Sequence, residues 1–379
     1  MAIGRIKFIL IPSLLTITLF VLLEKNFLPG SSRKISSDDQ FRLVGSVAYL
    51  IRDEYVEEPN PTKTMDGAFR GLVDSLDILS SYLDSATVLK YEQRKDVDLK
   101  DPGIVMFKTY GSFPVIIGIK ENSPAEKAGL KVGESISVLN GRSTLPMSML
   151  ELNLLLKDKS TTPVQLKILR GTGAQIVSVD REIIPQEPYS YAPAKGTSGV
   201  LKVQRLYPPC VDMLKEKFMP TLKTKTEPLI VDLRDCAEGD IEEAQGFLNM
   251  FVKDKESGYF KNGQGIVENL TLPGTAELEG LPLIVWTNQA TIGPAEVIAA
   301  VLKTHKKVRV IGLQTPGLVS QQRFISLNDG SGLLLTSAIF HLEKDKDFWE
   351  KGIEPDIKID VEDMTSSAYL KATQKLLAN

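Results

Sequence analysis

The chain has 379 residues, 42% of them hydrophobic and 25% charged, ordinary usage for a globular protein with room for two or three modules and unlike a disordered chain. Its net charge of −3 gives no basic footprint for nucleic acid. Two histidines and two cysteines, widely spaced, do not make a zinc site of ordinary spacing, so no metal or cofactor is expected.

In chain order, Arg5 and Lys7 precede an uncharged apolar run over residues 8–23, which suits a signal sequence or a short membrane anchor. The basic flank should stay cytoplasmic. Glu24, Lys25, Asn26 and Phe27 offer no small-x-small cleavage site, which favours an uncleaved anchor over residues 1–24. A Ser-, Lys- and Asp-rich tether should follow over 25–39. The expectation is an inner-membrane-anchored protein with its body in the periplasm or otherwise outside the cytoplasm, or an exported soluble protein if the segment is cleaved.

Residues 40–100 read as a helical segment. Leu43, Val47, Leu50 and Ile51 recur at helical spacing, as do Met65, Phe69, Leu72, Val73 and Leu76, the second set after Asn60 as cap and Pro61 at the first helical position.

Between 101 and 186 the pattern shifts to short β-rich runs over 115–119, 134–139 and 164–170, the second ending at the turn Asn140-Gly141. Two helices interrupt them. One has Ser123 as cap, Pro124 first and Gly129 as stop; the other, over 147–157, carries Leu150, Leu154 and Leu155. From 187 to 379 strands and helices alternate: strands 200–206, 229–233, 281–286 and 308–312, helices 211–222, 241–251 and 294–303. This predicts an α/β layer with a partly parallel sheet, and the apolar runs 229–233 and 281–286 suit strands covered on both faces. The basic stretch from Lys303 to Arg309 reads as a helix end feeding a strand, where cations meet the negative helix terminus. Cys210 at a helix start and Cys236 in a loop argue against a disulfide.

Two motifs frame the chemistry. Thr287-Asn288-Gln289-Ala290-Thr291-Ile292-Gly293-Pro294-Ala295-Glu296 joins an apolar strand to a helix, and Thr315-Pro316-Gly317-Leu318-Val319-Ser320-Gln321-Gln322 follows it. Upstream lie Tyr55-Val56, Asp66-Gly67-Ala68-Phe69-Arg70-Gly71, Ser75-Leu76-Asp77, Ser80-Ser81-Tyr82-Leu83, Ser123-Pro124-Ala125-Glu126-Lys127-Ala128-Gly129-Leu130 and Val231-Asp232-Leu233-Arg234. Asp329-Gly330-Ser331 and Lys351-Gly352-Ile353-Glu354-Pro355-Asp356-Ile357 close the set. The layout resembles the carboxyl-terminal processing peptidases, the S41 serine peptidases, over nearly the whole chain after its first forty residues.

The resemblance implies an N-terminal helical segment, an inserted PDZ module over 101–186 and an S41-like α/β core over 187–379, an α/β fold of mixed α+β character. In that family the first loop reads N-x-x-S-A-S-A-S-E, its middle serine attacking, and the second T-x-G-K-G-x-x-Q, its lysine the general base. Anchored on Glu296 and Gln322, the serine falls on Gly293 and the lysine on Leu318. A serine-lysine hydrolase needs a hydroxyl, a desolvated neutral lysine and amide donors for the oxyanion. Gly293 has no side chain, Leu318 no lone pair, and Pro294 no N–H to give. Gln322 and Gly239 are retained, while Asp235-Cys236-Ala237-Glu238 replaces the family's Asn-Asn-Pro and first glycine; in the N-terminal segment Ile78 and Leu79 replace Pro-His.

The expected function is therefore binding rather than cutting: capture of protein C-termini or unfolded tails through the PDZ module, or regulation of an active S41 relative. A homo-oligomer is also implied by the resemblance. Gly103, Ile104, Val105 and Met106 would form the carboxylate loop, with Leu150 and Leu154 as apolar rim, because PDZ modules hold an extended peptide by strand addition and its terminal carboxylate on backbone amides. The alternative is a serine-type endopeptidase with weak or relocated machinery. Thr291 and Ser320 are the hydroxyls nearest the expected cleft, neither with an obvious base; Lys303 and Lys306 lie at the far end of the helix that opens at Pro294.

Overall fold

A computed structural model describes residues 37–93, 99–184, 187–222, 226–253, 255–342, 348–361 and 363–378. The chain divides into two compact units, Met1–Gly67 and Ala68–Asn379.

In the first unit a helix spans Ser37–Glu54. It starts inside the stretch expected as tether, because serine and aspartate are residue types that favour a helix start. The anchor predicted over 1–24, and the tether as far as 36, lie outside the described residues. Among the described residues no helix is long and apolar enough to cross a membrane. The helix Pro61–Asp74 is capped as its sequence predicts, the Asn60 Oδ1 accepting the Lys63 N–H at 3.0 Å.

The second unit is built on three sheets. In the first, antiparallel strands lie in the order Ile104–Phe107, Val115–Ile119, Ser135–Leu139, Val164–Arg170 and Gly173–Val179. Ile116, Ile136, Leu152, Leu166 and Ile168 form its solvent-free core. The helix Pro124–Lys127 begins where expected, with Ser123 Oγ accepting the Glu126 N–H at 3.3 Å. The next helix is Met149–Leu156 rather than 147–157. Ser148 and Glu151 form a reciprocal capping box that sets its start. The strand Gly173–Val179 was not legible, since as an edge strand most of its residues are exposed and no apolar alternation is imposed on it.

The second sheet has the order Ile357–Lys358, Arg309–Gly312, Leu283–Thr287, Leu229–Asp232, Val200–Val203, Tyr189–Ala192. All its pairs are parallel except the last. This is the partly parallel sheet the alternation predicts. Helices Ile241–Leu248 and Pro294–His305 pack with Val231, Val285 and Val310 in the largest core. On the opposite face Ile230, Ile284, Trp286 and Ile311 pack with Tyr369 of the helix Ser366–Ala378. Arg234 makes a paired contact with Asp232 and stacks over Trp286 and Tyr369, at 5.1 and 4.4 Å from the ring centroids. The predicted helix 211–222 runs as Cys210–Met213, a π-helical turn Leu214–Phe218 and a 3-10 turn Met219–Thr221. Cys210 and Cys236 are both buried and free.

Gly312 lies beside Thr287 where two parallel central strands end: a Cβ there would lie 1.9 Å from the Thr287 carbonyl oxygen, at φ +139°. That carbonyl also accepts the Tyr369 hydroxyl at 2.8 Å. Gly312→Ala is therefore expected to cost about 3 kcal/mol or more, as overpacking and backbone strain combine. Urea unfolding checks this, and an unchanged midpoint would refute it.

The third sheet is antiparallel and was not foreseen as a sheet. It has the order Ser81–Leu83, Gly332–Leu342, Lys255–Asn262, Gly265–Leu272, and Ser320–Ser326 also pairs Gly332–Leu342. Two of its pairings, Ser81–Leu83 and Lys255–Asn262 each with Gly332–Leu342, join segments far apart in sequence, while the other two are hairpins. Asp329 and Gly330, the latter at φ +83°, form the turn that brings Ser320–Ser326 back along Gly332–Leu342. The whole is a mixed α/β fold with parallel and antiparallel sheets.

Candidate functional site

The strand Leu283–Thr287 delivers its following loop to the end of the parallel sheet. There the Asn288 Oδ1 accepts the N–H groups of Asp235 and Ala290, at 3.1 and 3.0 Å, while its Nδ2 donates to the Asp235 Oδ1 at 2.9 Å. Burial pushes the Asp235 carboxyl above its usual range, partly offset by the Asn288 amide. Thr291 has no solvent exposure; its hydroxyl donates to the Leu233 carbonyl at 2.9 Å and accepts the Asn288 N–H at 3.0 Å. That hydroxyl is a strut of the loop. It does not face a cleft from which to attack.

Gly293 closes the loop at φ +62° and ψ −122°, a conformation strained for any residue with a side chain. It is the sharp strand-to-helix bend on which a nucleophile is presented in hydrolases built this way. A Cβ at 293 would meet only the Leu318 carbonyl oxygen, at 3.9 Å. The structure thus brings Gly293 and Leu318 side by side. Leu318 is 7% exposed.

Glu296 fastens these two loops together. Its Oε2 accepts the Gly293 N–H at 3.1 Å and the Leu318 N–H at 2.8 Å, and its Oε1 accepts the Gly317 N–H at 2.6 Å. The residue is fully buried. Burial raises its carboxyl to about 7, against the Thr315 side chain and the three amides, which favour the ionised form. Sequence reasoning used Glu296 only as a register mark. The available signal was its place three residues after Gly293, at the start of a helix opened by proline.

Gln322 remains a hydrogen-bonding strand residue, its Nε2 donating to the Leu79 carbonyl at 2.8 Å. Gly239 is required by packing, because a Cβ there would lie 2.4 Å from the Leu206 Cβ. Gly103, Ile104, Val105 and Met106 depart from expectation. Ile104, Val105 and Met106 lie in a strand paired with Val115–Ile119 rather than in a loop, and the Gly103 N–H is already taken by the Asp101 Oδ1 at 2.7 Å. Gly103 is held to glycine by φ +86° and by Ser123, whose Cβ is 2.2 Å from where its own would be.

A cavity of about 820 Å³ runs from Ile104, Val105, Met106 and Leu150 at one side to Ile292, Leu318 and Gln322 at the other. Leu154, expected beside Leu150, lines a different cavity with Leu155 and Arg181. Met149, Leu150 and Asn153 share the helix face that borders the first cavity, with Lys157 just past the helix end, and Leu154 turns past its edge at 100° per residue. Val105 and Ile117 of the antiparallel sheet pack on Ala290, with Phe107, Ala237 and Ile292 around them.

Four charges that the sequence did not suggest line up along this seam. Lys120 Nζ lies 2.9 Å from the Asp101 Oδ2 and 3.3 Å from the Glu238 Oε1; Lys157 Nζ contacts the same Glu238 oxygen and lies 3.5 Å from the Asp101 Oδ2. Burial opposes ionisation of Glu238, but the two ammonium groups outweigh it and hold the carboxyl at about 2. The same balance, burial against Glu238 and Asp101, raises the Lys157 ammonium. The one sequence signal was Glu238 itself, a charge where the related motif has a small residue.

Residues 199–359 match the family model of peptidase family S41. The chain is 28% identical over 364 residues to the carboxy-terminal processing protease CtpA of Bacillus subtilis (strain 168), covering 94% of this chain and 76% of that protein. It is 27% identical over 337 residues to CtpB of the same organism, covering 86% and 69%, and 25% identical over 358 residues to a probable CtpA-like serine protease of Staphylococcus aureus (strain MRSA252), covering 93% and 71%. Among solved structures, the photosystem II D1 C-terminal processing protease shares the fold with a TM-score of 0.72 at 20% identity, over 89% of this chain and 91% of that one.

Proposed function

We propose that this chain, a homologue of the S41 carboxyl-terminal processing proteases, is a membrane-tethered, extracytoplasmic protein that binds protein C-termini without cutting them. The observation that carries this reading is the cavity from Leu150 and Met106 to Leu318. It has the walls of a peptide cleft but, at the positions the family motif assigns to nucleophile and base, only Gly293 and Leu318. The antiparallel module over residues 101–186 takes the part of a PDZ domain, its groove formed by Ile104–Phe107 and the helix Met149–Leu156. A processing protease must hold a carboxyl terminus before cleaving it, so loss of the dyad leaves a binder of the same ligand class. The buried, doubly bonded Thr291 hydroxyl disfavours relocation of the nucleophile.

Titration of the chain with one apolar-ended peptide in free-acid and C-terminally amidated forms tests the reading. The free acid is expected to bind at micromolar affinity, about −8 kcal/mol, and the amide at least about tenfold more weakly, since its charged acceptor is gone. Absence of binding by both forms would refute the reading.

A further inference from the structure

We infer that Glu238 is a built-in occupant of the carboxylate seat, its side chain standing on Lys157 and Lys120 where the terminal carboxylate of a bound peptide belongs. The inference rests on the peptide-binding reading above and names its anchoring residues. They differ from the backbone amides on which a PDZ module usually relies, because here the Gly103 amide is closed off by Asp101.

The two carboxylates in the cluster are not equivalent. Asp101 belongs to the same module as Lys120 and Lys157, its side chain is 7% exposed, and it is bonded to the Gly103 N–H as well as to the lysines. It is the fixed partner. Glu238 arrives from the loop after Leu229–Asp232, its side chain is 27% exposed, and the lysines are the partners its carboxylate has across the seam. Its backbone is anchored independently, the Glu238 carbonyl accepting the Leu206 N–H at 2.9 Å and the Leu206 carbonyl accepting the Asp240 N–H at 2.7 Å. The side chain can therefore leave while the loop stays folded.

The seat also has the right neighbours. Val105, Met106 and Leu150 line the cavity beside Lys157 and Glu238, which places an apolar wall next to a paired cation. That is the surface a peptide with a free carboxylate and an apolar last residue would cover. With Glu238 in place the two lysines are matched by two carboxylates, so an incoming carboxylate competes with Glu238 for Lys157 and Lys120. The depressed carboxyl of Glu238 accords with this, since the lysines keep it charged and seated.

The test is titration of the full chain in mild detergent, unaltered and as Glu238→Gln, with an apolar-ended peptide as free acid and as amide. Glu238→Gln keeps the side-chain shape and removes the competing charge. The expected result is about tenfold tighter binding of the free acid by the variant, with the affinity for the amide unchanged. Lys157→Gln should do the reverse, weakening the free acid about tenfold and leaving the amide alone, and it provides the test if the first variant does not fold. Equal free-acid affinity in unaltered chain and Glu238→Gln, or the same gain for acid and amide, would overturn the assignment while leaving peptide binding intact. Failure of both proteins to bind either peptide would overturn the reading of function and this seat with it.

Discussion

Gly293→Ser alone is expected to leave the chain without measurable peptidase activity, and the triple change Gly293→Ser, Pro294→Ala, Leu318→Lys is the variant in which hydrolysis of unfolded substrates and fluorophosphonate labelling should emerge. The single change restores a hydroxyl and fits sterically, since a Cβ at 293 meets nothing closer than the Leu318 carbonyl at 3.9 Å. It carries a strain of about 1–3 kcal/mol at φ +62°, which the three hydrogen bonds from the two loops to Glu296 can hold. A hydroxyl without a base is a weak nucleophile, however, and loss of either partner in a serine protease costs on the order of 10⁶-fold, with strong non-additivity. Leu318→Lys would put an amine on the wall of the cavity, in surroundings apolar enough to keep it neutral. Pro294→Ala returns the N–H that an oxyanion needs. Stoichiometric fluorophosphonate labelling of the unaltered chain at any residue from 287 to 322 would contradict the whole scheme.

Glu296→Ala should destabilise the fold more than any other single change at the site, by about 4 kcal/mol or more. It strands the N–H groups of Gly293, Gly317 and Leu318, each bonded to a Glu296 oxygen in a fully buried position. An unsatisfied buried donor costs about 1–3 kcal/mol. Glu296→Gln should be milder and should reveal a pH dependence by removing it. The Glu296 carboxyl is raised from an ordinary 4.5 to about 7 in the fold, by burial against the Thr315 and amide hydrogen bonds. Between those values the folded chain keeps a proton that the unfolded chain has lost. The associated stabilisation is thus fully present below about 4.5 and is lost as pH rises through about 7, a difference of up to about 3 kcal/mol. Urea midpoints at pH 5 and pH 8 decide it. The unaltered chain should lose stability between them, and Glu296→Gln should lose less; parallel loss in both would assign the slope elsewhere.

Features that local chemistry dictates were readable from the order of residues alone. Continuous apolar runs gave away the central strands Leu229–Asp232 and Leu283–Thr287, which are covered on both faces and so select for nothing but hydrophobicity. Asn60, Ser123 and Pro294 marked helix starts because a cap or a proline is read within three residues. The register of Gly293 against Leu318 was legible from the motif anchors Glu296 and Gln322, and the anchor Glu296 proves to be the residue that physically joins the two loops.

Long-range packing sets the remaining features. In the third sheet Ser81–Leu83 pairs with Gly332–Leu342 across most of the chain, and no periodicity encodes a pairing that distant. Whether Leu150 or Leu154 faces the cavity depends on the rotation of one short helix against its neighbours, since both are leucines one turn apart. Gly103, Ile104, Val105 and Met106 are a carboxylate loop by the resemblance to PDZ modules, yet the hydrogen bonds of Val115–Ile119 draw Ile104–Phe107 into a strand. The charge cluster is the clearest case. Asp101, Lys120, Lys157 and Glu238 come from four separate segments; only when the fold brings the two lysines onto Glu238 do they outweigh the burial that opposes its ionisation and hold its carboxyl at about 2.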